Sequence, residues 1–356
     1  MSDAKRLRSL DGLRGFAAII VMLFHFNTFF VPQARLFDVI PFLDRGYLAV
    51  DLFFLLSGFV MAHVYGQTLA SNWRAQWRSF AIARFARIYP LFALTTLVMA
   101  IAVVVLRLPL SSPLSLSTGS LALQPFLLQQ WAPSGTWNYP SWSISTEAEA
   151  YIYFVFFAAL LLAGKRPKLI AVGCIFIVAA LSLTKGGTLN YPHKIAALVR
   201  TLAEFSLGVL LYRLYSSDAK LSQIWVGLAA VVLTGVALVT YVDFLLVGAF
   251  GCLIYLSVNA KGALATALLN SSPSVALGKW SYSIYLWHGP VHYVVMSIFA
   301  AIGFPVSGLG LSAARLLLLT TAIVVVGLSV ISFEYFESPA RGLVLRLLSG
   351  SRIAHG

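Results

Sequence analysis

Charged side chains are scarce in this chain: Asp, Glu, Lys and Arg make up 10% of 356 residues, and only 12 residues are acidic. With 60% hydrophobic residues and a mean hydropathy of +0.87, too little polar surface exists to cover a water-soluble globule. Cysteine is nearly absent. Cys174 and Cys252 both fall inside apolar runs, which excludes a disulfide framework, a metal ribbon and a paired redox motif, and both read as packing residues. The chain also lacks a zinc-type helix with two histidines and a glutamate, a phosphate-binding glycine loop and a serine nucleophile elbow. No internal repeat is evident, which argues against an inverted-repeat transporter. The first apolar stretch, 10–30, is too long for a signal peptide and has no small-residue cleavage site, so no cleavable leader is expected.

What is present in abundance is apolar sequence in runs of about 20 residues, each long enough to cross a hydrocarbon core as a helix. Hydropathy and turn signals place spans near 9–30, 47–66, 85–106, 142–163, 168–184, 195–215, 222–240, 244–259, 280–301 and 312–335. The expected fold is an all-α membrane protein, a bundle of about ten transmembrane helices. The formal net charge of +13 belongs to loops rather than to a nucleic-acid face. With the N-terminus inside, the cytoplasmic segments gather most of the Lys and Arg, among them Arg74, Arg78, Arg84 and Arg87, while Arg35, Arg45, Arg107, Lys185 and Lys194 fall outside. That asymmetry puts both termini in the cytoplasm. Residues 1–340 then form one integral membrane domain and 341–356 a short basic cytoplasmic tail. The segment 109–140, rich in Ser, Pro and Gly and carrying Trp131 and Trp137, suits an interfacial or re-entrant element.

Four segments carry residues suited to chemistry. In the first span Arg14 and His25 interrupt an apolar run; each such group costs about 2.5–3.5 kcal/mol at a helix centre on insertion scales, so it marks an interior-facing function or a pair. Eleven residues make about three turns, which puts the two on one face about 16 Å apart. That spacing suits a guanidinium holding phosphate while the imidazole meets a thioester; alternatively Arg14 snorkels and His25 bonds a neighbouring helix. In the stretch 72–90, Arg74 and Arg78 are four apart and Arg84 and Arg87 three apart, so each pair shares a face. Such pairs bind phosphates bidentately or anchor to anionic lipid.

Glu147 and Glu149 open the fourth span, each followed four residues later by a tyrosine, Tyr151 and Tyr153. Glu147 with Tyr151 makes a polar stripe suited to a hydroxylated acceptor or to tuning a base. Finally, Ser281, Tyr285 and His288 lie on one face of the ninth span. Tyr285, with Trp142, offers a flat surface for a sugar ring, or these aromatics simply pack. Asp51, Ser57, Asn27, Glu204, Arg200, Asp243 and Arg315 either form structural pairs or line the acceptor path.

Taken together, LDGLRGFAAIIVMLFH, VDLFFLLSGFVMA, RFARIYP, WSISTEAEAYIYF, SYSIYLWH and FEYFESPAR resemble acyltransferase family 3, in the form without a C-terminal soluble esterase-like domain. The resemblance covers nearly the whole chain. It implies a ten-helix membrane O-acyltransferase of the bacterial inner membrane that takes acetyl-CoA or another acyl-CoA, without a metal, and modifies a hydroxyl of a carbohydrate or cell-envelope glycan. Arg14 and His25 match the family's signature pair, Arg84 and Arg87 the pair that meets the coenzyme, and Glu147 the glutamate of its tryptophan-serine motif. The catalytic set expected from it is His25, Arg14 and Glu147, with Arg14, Arg84 and Arg87 on the coenzyme and Tyr151, Tyr285, His288 and Trp142 on the acceptor. A neutral His25 would act as general base or as a covalent acyl carrier. A secondary transporter or flippase of a sugar or lipid-linked substrate, and a membrane scaffold, are the competing classes.

Overall fold

The computed structural model describes residues 7–106, 118–132, 136–192, 194–217, 220–259 and 267–349; Arg107, Lys261, much of the 109–140 segment and the end of the basic tail lie outside them. Among the described residues there is no strand. The long helices are α1 (Arg8–His25), α2 (Ala49–Ala100), α3 (Trp142–Ala163), α4 (Pro167–Thr184), α5 (Lys194–Ser216), α6 (Gln223–Thr240), α7 (Asp243–Asn259), α8 (Ser272–Ala301), α9 (Leu311–Ser332) and α10 (Ser338–Ser349). Wider π-type turns extend α1 over Phe26–Phe30 and join α9 to α10 over Phe333–Glu337. Among the described residues seven helical stretches are long and apolar enough to cross a membrane. The shorter α7 stands beside them, and α8 carries Lys279, His288 and His292 along its length.

The 66–85 link between the second and third expected spans is helical: α2 runs through it and breaks only at Asn72, whose φ of −155° and ψ of 74° are not helical. The Asn72 side chain accepts from the Ala75 amide at 3.2 Å and so caps a new helix start. The residues that follow, Arg, Ala and Gln among Trp73, Trp77 and Phe80, are mostly good helix formers with an apolar face. Arg84 and Arg87 therefore sit on a rigid helix that points back into the bundle.

Small residues set the closest helix contacts. A Cβ at Gly278 of α8 would stand 2.2 Å from the Asp11 carbonyl oxygen of α1, and one at Gly58 of α2 would stand 2.0 Å from that of Phe205 in α5. Backbone-to-backbone packing of this kind is how helices associate where lipid removes the hydrophobic drive. The core lies among α1, α2, α3, α5 and α8, filled by Met22, Phe26, Phe59, Phe92, Phe154 and Phe205. In contrast α4 and α6 expose Val172, Phe176, Ile224 and Val239, the surface a hydrocarbon solvent would cover.

The isolated polar residues of the spans mostly form structural pairs. Buried Arg200 approaches Asp51, Nε to Oδ1 at 3.6 Å, and donates to the Leu189 carbonyl; Glu204 is the neighbour of Asp51. Asp243 pairs with Arg45 and accepts from the Tyr47 hydroxyl at 2.5 Å and the Leu189 amide at 2.8 Å. Asn27 accepts from the Leu36 amide at 2.7 Å, and Arg315 donates to the Ala34 carbonyl at 3.0 Å, which fastens the loop after α1.

Candidate active site

A cavity opens between α1, α2, α3 and α8. Arg14, Arg84 and Arg87 line it together with Glu147, Tyr151 and Tyr285. Sequence spacing pairs the arginines two by two; the fold makes them three around one space. Their environments differ. Arg87 pairs with Glu337, whose other oxygen accepts from Ser283 at 2.6 Å, and its guanidinium lies 5.2 Å from the Tyr282 ring centroid. Arg84 donates to the Tyr65 hydroxyl at 2.9 Å, yet its Nε is buried with no partner. Arg14 Nε is likewise buried and unpartnered. Buried donors are normally satisfied, so two guanidinium N–H groups without acceptors fit an anion, and guanidinium geometry suits phosphate. Arg74 and Arg78 do not join them: both are solvent-facing.

The opposite wall is a polar ladder on α3. Glu147 Oε1 accepts from Tyr151 at 2.5 Å and from Ser57 of α2 at 2.8 Å. One turn earlier, Ser143 and Tyr285 of α8 have hydroxyls 2.7 Å apart, and Tyr285 donates to the Pro140 carbonyl at 2.8 Å. Ser143 also reaches the Pro140 carbonyl at 3.4 Å, so the two hydroxyls share that acceptor and either can donate to the other. Glu149 is not in this cavity's wall; it accepts from Trp131 at 2.6 Å and Gln130 at 3.1 Å, tying the folded-back segment to α3.

His25 and His288 lie beyond the lining residues and meet each other. Their Nδ1 and Nε2 atoms are 2.9 Å apart and their rings lie within 16° of coplanar, the geometry of an in-plane hydrogen bond. One of those two nitrogens must lack its proton. The link to the cavity is Tyr285, whose ring centroid is 5.8 Å from that of His288.

Sequence reasoning missed the residues that complete this pair. Tyr139 stands edge-on to His25 at 5.0 Å and to His288 at 5.4 Å, and its buried hydroxyl has no partner. Its position follows from a backbone defect. Pro290 has no N–H for the Leu286 carbonyl four residues earlier, and Asn138 supplies that donor at 2.9 Å, fastening the neighbouring Tyr139 against α8. His292, 5.8 Å from the Tyr139 ring, closes the cluster. Glu337 and Ser143 are the other omissions. Only Glu337 carried a signal, a carboxylate beside an apolar span.

Trp142 is placed elsewhere. Its ring packs under the Arg200 guanidinium at 5.2 Å and against Phe54 at 6.2 Å, and it does not line the cavity. Among the described residues no group of histidine, cysteine and carboxylate side chains is arranged to hold a metal.

A family described as an acyltransferase domain matches residues 7–333. The chain is 30% identical over 328 residues to the acyltransferase MdmB of Streptomyces mycarofaciens, covering 82% of this chain and 79% of that one. It is 26% identical to the putative membrane-bound transacylase BcsY of Komagataeibacter xylinus, over 80% of this chain and 72% of that one. The O-acetyltransferase OatA of Staphylococcus aureus is 23% identical over 96% of this chain, which spans 58% of OatA's length. No solved structure matches.

Proposed function

Because the chain belongs to acyltransferase family 3, we propose that it moves an acyl group, acetyl in the simplest case, from an acyl-CoA to a hydroxyl of a carbohydrate or cell-envelope glycan. The observation that carries this reading is the cavity in which Arg14 and Arg84 present unpartnered guanidinium N–H groups, linked through Tyr285 to the His25–His288 pair. Arg14, Arg84 and Arg87 would take the phosphates of the coenzyme. Glu147 and Tyr151, already bonded to each other, offer hydrogen bonds to a polyol, and Tyr285 offers its ring face.

In the reaction the acceptor oxygen attacks the thioester carbonyl carbon while His25 takes the hydroxyl proton. The tetrahedral intermediate then expels the coenzyme sulfur as the C–S bond breaks, and the proton on His25 passes to that sulfur, giving ester and free thiol. The family's relatives named as an acetyltransferase and a transacylase support the reaction class. Direct transfer needs one histidine and no covalent intermediate; an acyl-histidine would need the donor and acceptor to bind in turn.

The same reading sets the protein in a bacterial plasma membrane. Counting α2 as two crossings joined at Asn72, α1 to α9 make about ten passes with both termini cytoplasmic. Residues 1–340 are the membrane domain and the basic residues after them, beginning in α10, are the tail. The test is thiol release from acetyl-CoA by the purified protein, with and without an envelope-sugar fraction, beside a His25→Ala variant of matched folding. Acceptor-dependent release lost in the variant supports the assignment; no release from any short-chain acyl-CoA across a broad acceptor panel overturns it in favour of transport.

A further inference from the structure

His288 has an arrangement that goes beyond lining a substrate site. Its Nδ1 lies 3.3 Å from the carbonyl oxygen of Ile284, one turn earlier in α8. A carbonyl only accepts, so Nδ1 of His288 carries the hydrogen and, in the neutral ring, Nε2 carries the lone pair. That lone pair faces His25 Nδ1 at 2.9 Å, so His25 Nδ1 must supply the proton between them. The consequence reaches the far edge of the His25 ring: with Nδ1 protonated, a neutral His25 has its one lone pair on Nε2.

Resting on the reading of His25 as the proton acceptor, we propose that His288 is a positioning residue that selects the His25 tautomer with a basic Nε2 and holds that ring in place. A base oriented by a third group is the recurring arrangement for activating a weak nucleophile, and the second nitrogen's hydrogen bond is what decides which edge of an imidazole is basic. The orienting group here is neutral. As His25 accepts the hydroxyl proton it becomes a cation whose Nδ1–H still donates to His288, and a charge-assisted bond is stronger than a neutral one. The contact therefore favours the transition state more than the resting enzyme.

The surroundings keep His288 fixed. Its ring is fully buried, with Phe26, Tyr139 and Tyr285 edge-on at 6.3, 5.4 and 5.8 Å. The helix that carries it is held to α1 by the close approach at Gly278. The other titratable groups facing the pair are His292, Tyr139 and Tyr285; among the described residues no carboxylate contacts either ring.

Two substitutions separate this role from packing. His288→Gln can place a carbonyl oxygen where Nε2 stands and still accept from His25, whereas His288→Leu fills similar space without an acceptor. With the full-length protein in detergent, His288→Gln is expected to keep kcat within about tenfold, and His288→Leu to lose about 100-fold or more, the scale of general-base help. KM for acetyl-CoA should move in neither, since the arginines are untouched. Nitrogen-15 NMR of histidine-labelled protein, assigned with a His25→Ala reference, reads the tautomer without turnover. A lone-pair nitrogen at His25 Nε2 in the wild type and in His288→Gln, with a mixture in His288→Leu, is the expected result. The same tautomer in all three, or equal rates for the Gln and Leu variants, overturns the proposal. Loss of the acyltransferase reading would appear separately, as a His25→Ala variant that retains full thiol release.

Discussion

Arg87 and Glu337 form an ion pair across 250 residues of sequence, and this pairing divides the three cavity arginines into two kinds. Arg87 is neutralised by a buried carboxylate, while Arg14 and Arg84 keep unpartnered donors. Hydrogen bonds to charged groups are worth about 1.5–3 kcal/mol, so Arg14→Gln or Arg84→Gln should lower kcat/KM for the acyl donor roughly 10- to 100-fold with little change in melting temperature. Glu337→Gln should do the reverse: by leaving Arg87 charged and uncompensated it destabilises the fold by an amount on the order of 3 kcal/mol. Steady-state kinetics and thermal melts of the three variants in one detergent check the division.

Tyr139→Phe should reduce kcat without reducing stability. The hydroxyl is buried beside the imidazole pair with no acceptor, and an unsatisfied buried polar group destabilises the resting protein. If it donates to the oxyanion of the tetrahedral intermediate, its loss costs on the order of 100-fold in kcat, while the melting temperature holds or rises. A kcat equal to wild type would leave Tyr139 as a wall of the histidine site and nothing more.

Much of this site was legible because a bilayer makes polar residues conspicuous. Arg14 and Glu147 stood out as costly in an apolar sequence and Arg84 with Arg87 as a basic pair on one helix face, and they do surround one cavity. Partners were not legible. His25 and His288 are 263 residues apart, and their contact depends on how α1 packs on α8, which helical periodicity does not encode. Trp142 shows the same limit: nothing in its spacing indicates that Arg200 covers its ring. Tyr139 was hidden for a different reason, since a proline 151 positions later, Pro290, frees the carbonyl that anchors its neighbour. In the fold, Asn72 was the missed signal; its capping role lets one helix follow another without a loop.

The α1–α8 contact predicts an effect at a residue with no chemistry of its own. A methyl group at Gly278 would stand 2.2 Å from the Asp11 carbonyl oxygen, closer than atoms can approach, so Gly278→Ala must push the two helices apart and with them His25 and His288. Activity should fall at least 100-fold, on the scale of the general-base contribution, even where folded protein is recovered. Gly251→Ala is the control: nothing lies within 4 Å of the added carbon, and alanine is the better helix former by about 1 kcal/mol. Thiol release from both variants, normalised to folded protein, decides it.

Asp51, Arg200 and Glu204 supply the last prediction, because they are buried ionisable groups outside the cavity. Arg200 pairs with Asp51 and acts electrostatically on Glu204 as well. Removing one partner of a buried pair costs about 3–5 kcal/mol, whereas replacing the whole set with apolar residues of similar volume is often neutral or stabilising. Arg200→Met alone should therefore lose most of its folded yield, and Arg200→Met with Asp51→Leu and Glu204→Leu should regain it. Arg200 also donates to the Leu189 carbonyl and covers Trp142, so the recovery should stop short of the wild-type melting temperature. If the triple variant folds and keeps its thiol-release activity, the cluster is structural. If it folds and is inactive, these residues belong to the acceptor path, and Trp142 returns to the site through its contact with Arg200.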